Sequence, residues 1–260
     1  MADPKSKWVV VGAFIGAIGV AVVAFLIIFR GQLVALYMMH DVVRESPAMW
    51  LTPVPLTDTS ISPAQGKPVT FAGLTFSLPW TDLNETKSRT TDGNFAIVVF
   101  ASNHAVMISS SAAGALANGL RGVSMHGYTG TIYDRAVTAT DYDWEEAMLN
   151  VRPDQVRFWT PGREAVARST LVVMKGINLV SIKPTAIFTI ATPVFRGFQC
   201  GEVGQGGDLV ELKLYDDARS VSLAIGTRAH VVKQADINLI VQSLREAPGT
   251  VAPTSAPANP

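Results

Sequence analysis

The chain has 260 residues, with 21 Lys+Arg against 21 Asp+Glu and a mean hydropathy of +0.27. Beyond residue 46 there remain 17 basic and 18 acidic side chains, without the basic excess that phosphate contacts demand of a nucleic-acid binder, so no nucleic acid is expected as a partner. One cysteine, Cys200, permits neither an intramolecular disulfide nor a cysteine-rich zinc site.

The first predicted element is a membrane helix. Trp8 to Phe29 reads WVVVGAFIGAIGVAVVAFLIIF, with no charge between Lys7 and Arg30. At about 1.5 Å per residue the run covers roughly 33 Å, enough for a hydrocarbon core near 30 Å. It is longer than the core of a cleaved signal peptide, and Arg30-Gly31-Gln32 follows it rather than a small-residue cleavage site. The expectation is a single-pass anchor that meets the lipid bilayer through Trp8–Phe29. A short basic N-terminus places that end in the cytosol and the following domain in the periplasm or outside the cell. Gly12 and Gly16 form G-x-x-x-G, flanked by Ala13, Ala17 and Ala21, a face on which two such helices can pair into a homodimer.

From Gly31, GQLVALYMMHDVVRE keeps helical spacing and is expected to prolong the anchor helix, so that residues 1–45 form anchor and extension. Prolines at 47, 53, 55, 63 and 68 predict an extended linker over 46–68. A soluble domain is expected over 69–246, followed by a proline-rich, disordered tail at 247–260.

Within that domain Leu74, Phe76 and Leu78 alternate with Thr75 and Ser77, a half-buried strand. FAIVVF and AVMISS flank Ser102-Asn103-His104 as a hairpin, and SAAGALANGLRG predicts a short helix. DYDWEEAMLNV predicts a helix capped by Asp141 or Asp143, and Thr160-Pro161 opens another over GREAVARSTLVVMKG. AIFTIA and FRGFQC read as strands. Val210, Leu212 and Leu214 alternate with Glu211, Lys213 and Tyr215, and after Asp216-Asp217 the alternation resumes at Val221, Leu223 and Ile225. This pattern predicts an antiparallel meander with one wet face. ADINLIVQSLRE closes the domain as an amphipathic helix, with Ile237, Ile240, Val241 and Leu244 on one face and Asp236 as cap. The fold class is α+β: an N-terminal transmembrane helix, then a mostly antiparallel sheet covered by helices.

The pattern F-x-G-x-x-F-x-L-P-W from Phe71 to Trp80, the later meander, and a terminal helix ending in Gln242-Ser243-Leu244 resemble the PsbP-like family. That family includes lumenal extrinsic photosystem subunits, a Ran-binding nuclear import factor and bacterial envelope proteins. The resemblance covers the two ends of the domain, and residues 110–185 depart from it in length and in extra helices. It implies an αβα sandwich and a binding or assembly role, and it supplies no catalytic residues.

The chemistry-bearing residues form no motif. His40, His104, His126 and His230 lack metal-ligand spacing. Cys200 stands in an apolar strand context and is expected to have no nearby cation to lower its pKa, the setting of a structural thiol. Gly201, Gly204, Gly206 and Gly207 join two strands, which is a hairpin turn and not a phosphate loop. Asp141, Asp143, Glu145 and Glu146 fit the first turn of a helix better than a calcium loop. No catalytic, cofactor or metal residue is assigned. The function expected is a non-catalytic, membrane-anchored binding or assembly protein with a protein partner in the cell envelope. The alternative is a small membrane-tethered hydrolase using Cys200 or a histidine assembled beside it.

Overall fold

A computed structural model describes residues 22–63, 66–71, 73–91, 95–101, 105–114, 132, 138–203, 209–216, 219–226 and 232–247. Residues 8–21, with Gly12 and Gly16, lie outside the described residues, as do most of SAAGALANGLRG and nearly all of the tail.

The chain is α+β. Val22–Ile28 is helical (α1), and Arg30–Glu45 forms α2. The two are not one continuous rod. At Phe29 the backbone leaves helical geometry (φ −99°, ψ 12°), and α2 departs from α1 at 71°. Among the described residues no single helix is long and apolar enough to cross a membrane; the bent pair α1–α2 passes on length and composition alone. The expected extension is thus helical but bent away from α1, and α2 packs on the rest of the domain. Its Ala35 and Met39 are buried against α4 (Gly162–Leu179).

Residues 46–63 are extended apart from one 3-10 turn near their start, and they are bound along their length. Pro47–Trp50 makes a 3-10 turn that buries Ala48 and Met49. Val54–Pro55 (β1) pairs in parallel with Ile187–Ala191 (β7), and the Leu56 amide donates to Thr189 O. Farther on, Asn238 Nδ2 donates to Asp58 O and Ser60 O, and the Ser62 amide donates to Ala235 O.

Two sheets follow. Lys67–Phe71 (β2), Leu74–Leu78 (β3) and Arg245–Glu246 (β11) form the small one, in order β11-β3-β2. The large one contains Arg89–Thr91 (β4), Phe95–Val99 (β5), Ala105–Ala112 (β6), Arg196–Cys200 (β8), Leu209–Tyr215 (β9) and Arg219–Gly226 (β10). Its order is β1-β7-β8-β9-β10-β6-β5-β4, antiparallel except at β1. β8 and β9 approach so closely that a Cβ on Gly197 would fall 1.9 Å from Lys213 O; only glycine fits there.

The large sheet is covered on both faces. On one side Leu212, Leu214, Leu223 and Ile225 pack with Phe76 of the small sheet and Ile240 of α5 (Gln234–Ser243). On the other side Ile187, Phe198, Cys200 and Tyr215 meet α3 (Asp141–Asn150) and α4 through Trp144 and Val172. Ile237, Ile240, Val241 and Leu244 are all buried, as the helical spacing predicts. The caps differ from expectation. Thr140 caps α3, with the Asp143 carboxylate returning to the Thr140 amide, and Lys233 precedes α5, with its amide donating to Asp236.

Candidate functional site

The meander's second face is only partly wet. Leu212 and Leu214 pack toward α5, so the period of two turns Glu211, Lys213 and Tyr215 toward α3 and α4. Lys213 Nζ lies 2.7 Å from Glu145 Oε1 on α3, with their side chains 12% and 3% exposed. Burial pushes the Glu145 carboxyl up despite the adjacent ammonium. Burial pulls Lys213 down, but the carboxylates of Glu145 and Glu211 outweigh it and raise that group, so the ammonium stays charged. Asp141 Oδ2 accepts from the Ser220 hydroxyl (2.8 Å) and the Gly114 amide (3.0 Å). With Ser109 and Ser111 of β6 and Asn178 of α4, these groups line a polar cleft of about 310 Å³.

Cys200 is on this same face and fully buried. Burial pushes its thiol up to about 12, although Lys213 and Lys175 lie near enough to pull it down. The sequence separation of those lysines from Cys200 concealed them. A thiol held neutral does not serve as a nucleophile at physiological pH. Among the four histidines, His40 is exposed on α2, and His104, His126 and His230 lie outside the described residues.

Lys175 was not legible from sequence. It sits on α4 with no exposed surface, and its Nζ donates to Leu51 O, Leu149 O (2.7 Å) and Val151 O (3.1 Å). Burial brings its pKa down to about 8. The ammonium ties the start of the proline segment, just after its 3-10 turn, and the end of α3 to α4, satisfying the carbonyls of Leu51, Leu149 and Val151.

The acidic group on α3 therefore divides into separate tasks. Asp143 caps, Asp141 holds Ser220 and Gly114, Glu145 pairs with Lys213, and Glu146 accepts from the Tyr142 hydroxyl. Among the described residues no three His, Cys, Asp or Glu side chains converge as metal ligands.

A second cavity differs in kind. Between the 3-10 turn and the C-terminal end of α4 runs a groove of about 700 Å³, lined by Pro47, Ala48, Leu51, Gly176, Ile177 and Val180 among others. Ile177 and Val180 are 67% and 58% exposed. α2 and α4 run side by side in the same direction: Gly31 touches Gly162 at their starts, and Pro47 lies near Gly176 at their ends. The groove is thus about 24 Å from the α1–α2 bend, at 1.5 Å per residue over the 16 residues of α2. Comparison with protein-family models, with curated proteins and with solved structures gives no match to this chain.

Proposed function

We propose that this chain is a membrane-anchored, non-catalytic binding protein of the cell envelope, which receives an apolar segment of a partner protein in the groove at the far end of the α2–α4 pair. The groove carries this reading. Its volume lies in the range of ligand sites, its lining is largely apolar, and Ile177 and Val180 stand open beside it. In the polar cleft Glu145 is paired with Lys213, and Asp141 is held by the Ser220 hydroxyl and the Gly114 amide, with no histidine or reactive thiol beside them among the described residues. The anchor is read from the uncharged run Trp8–Phe29, with the N-terminus cytosolic and the domain periplasmic or extracellular. Homodimer formation through Gly12 and Gly16 belongs to the same reading. The resemblance to the PsbP-like αβα sandwich, from Phe71 to Trp80 and at the terminal helix, implies a role of the same kind.

The test places a photo-crosslinking side chain at Ile177 of the full chain in its native membrane, with Lys87 as an exposed control. A discrete protein adduct at position 177, lost with Val180→Asp and absent at position 87, is expected. Lipid adducts alone, or none, would overturn the groove as a protein site.

A further inference from the structure

At the opposite end of the helix pair, the loop before α4 meets the helix that continues the apolar run. The Phe158 ring stacks on Phe29 (centroids 4.7 Å) and on Phe25 (5.9 Å). Beside it Trp159 is 74% exposed, with the Arg157 guanidinium 5.6 Å from its ring centroid. Val22, Val23, Leu26, Ile27 and Ile28 of α1 are each at least half exposed. The loop is firmly placed. Gln32 Nε2 donates to Thr160 O (2.9 Å), and a Cβ on Gly31 would come within 2.7 Å of the Gly162 backbone.

We propose that Phe158 and Trp159 form a seat in the headgroup layer of an anionic bilayer, fixing the domain against the membrane at a set orientation. The proposal rests on the reading of Trp8–Phe29 as an anchor. The lipid is chosen as occupant for two reasons. The aromatic pair is continuous with the exposed apolar helix, and an indole with a flanking guanidinium suits the boundary between acyl chains and headgroups. Arg157 lies over Trp159, Arg30 follows Phe29, and Arg163 stands four residues after Trp159 in the chain; all three are exposed and none meets a carboxylate among the described residues. Three cations so placed complement anionic headgroups. The 71° bend at Phe29 then has a role: it turns the chain from α1 onto the face of α4, so the domain does not swing on a free tether.

The test reconstitutes the full chain in phosphatidylcholine–phosphatidylglycerol vesicles, with an environment-sensitive fluorophore on Trp159→Cys or, as control, on Lys87→Cys. Cys200 is left in place, since it is buried. Quenching by a nitroxide near the headgroups should be at least about threefold stronger at position 159 than at 87, and should weaken when phosphatidylglycerol is omitted. A chain that floats with the vesicles while position 159 responds to aqueous iodide like position 87 overturns the seat and leaves the anchor standing. Shielding at 159 from both quenchers places a protein there and also overturns it. Failure to float refutes the anchor, and the seat with it.

Discussion

The Lys213 ammonium stands 2.7 Å from the Glu145 carboxylate, between the central strand β9 and the helix that covers it. Neither group can regain its hydration in place, so removing one partner strands the other. Lys213→Met should lower unfolding stability by about 3–5 kcal/mol, whereas Lys213→Met with Glu145→Leu should recover most of that loss. Urea unfolding of the detergent-solubilised chain, followed by near-ultraviolet circular dichroism, measures both. A double variant as unstable as the sum of the singles would mean that the pair is not coupled.

Lys175 and Cys200 give stability an alkaline signature. The Lys175 pKa is about 8 in the fold against 10.5 unfolded, so between these values the unfolded chain holds more protons and stability rises with pH. The Cys200 thiol has the opposite sign. Its pKa is about 12 in the fold against 9 unfolded, so stability falls as pH rises from 9 to 12. Burial also pushes the Tyr215 hydroxyl up from its ordinary value of 10, so the expected profile climbs from pH 8 to 9, flattens to about 10 and then declines. Lys175→Met should abolish the climb. It should also cost about 3 kcal/mol at pH 7, because the carbonyls of Leu51, Leu149 and Val151 lose their donor.

Thiol labelling tests Cys200 directly. At pH 8 a water-soluble disulfide reagent should react with the native chain at least about a hundredfold more slowly than with the unfolded chain, since the thiolate is suppressed and the sulfur has no exposed surface. Equal rates would place Cys200 in an open, reactive setting.

Much of the sheet was legible from side-chain alternation, because strands such as β3, β9 and β10 each carry a run of apolar residues on one face. The hairpin before and after Ser102-Asn103-His104 and the meander through Asp216-Asp217 both form. What alternation could not reveal is whether the second face meets water or another layer. Glu211, Lys213 and Tyr215 look solvent-facing in sequence, yet α3 supplies a carboxylate to Lys213 from 68 residues away. The proline segment misleads in the same way. Proline fixes its extended backbone, but its attachment depends on the side-chain amide of Asn238 and the ammonium of Lys175, which leave no local trace. The groove was equally hidden, being formed by two segments that are helical or turn-like for separate reasons.

The start of α2 is sensitive to a single methyl group. A Cβ on Gly31 would press on the Gly162 backbone at 2.7 Å, and backbone cannot rotate aside. Gly31→Ala should therefore separate the two helix starts and cost about 1–3 kcal/mol, despite alanine's better helix propensity. An unchanged melting temperature would show that α2 and α4 do not depend on this contact.

The segment ahead of residue 69 belongs to the folded core, and truncation can show it. Ala35, Met39, Ala48 and Met49 are buried with residues of α3 and α4, and β1 extends the large sheet beyond β7. A chain beginning at Pro63 loses these side chains and the Leu51 carbonyl that receives Lys175, and it uncovers the α4 surface that α2 protects. A chain beginning at Arg30 keeps all of them while discarding the apolar run. The Arg30 form should melt cooperatively. The Pro63 form should melt at least about 10 °C lower or lose its near-ultraviolet signal, since several buried apolar side chains at about 1 kcal/mol or more each exceed what a domain of this size can lose unnoticed. Equal, cooperative melting of the two forms would show that α2 and the proline segment are only attached to the domain and not part of it.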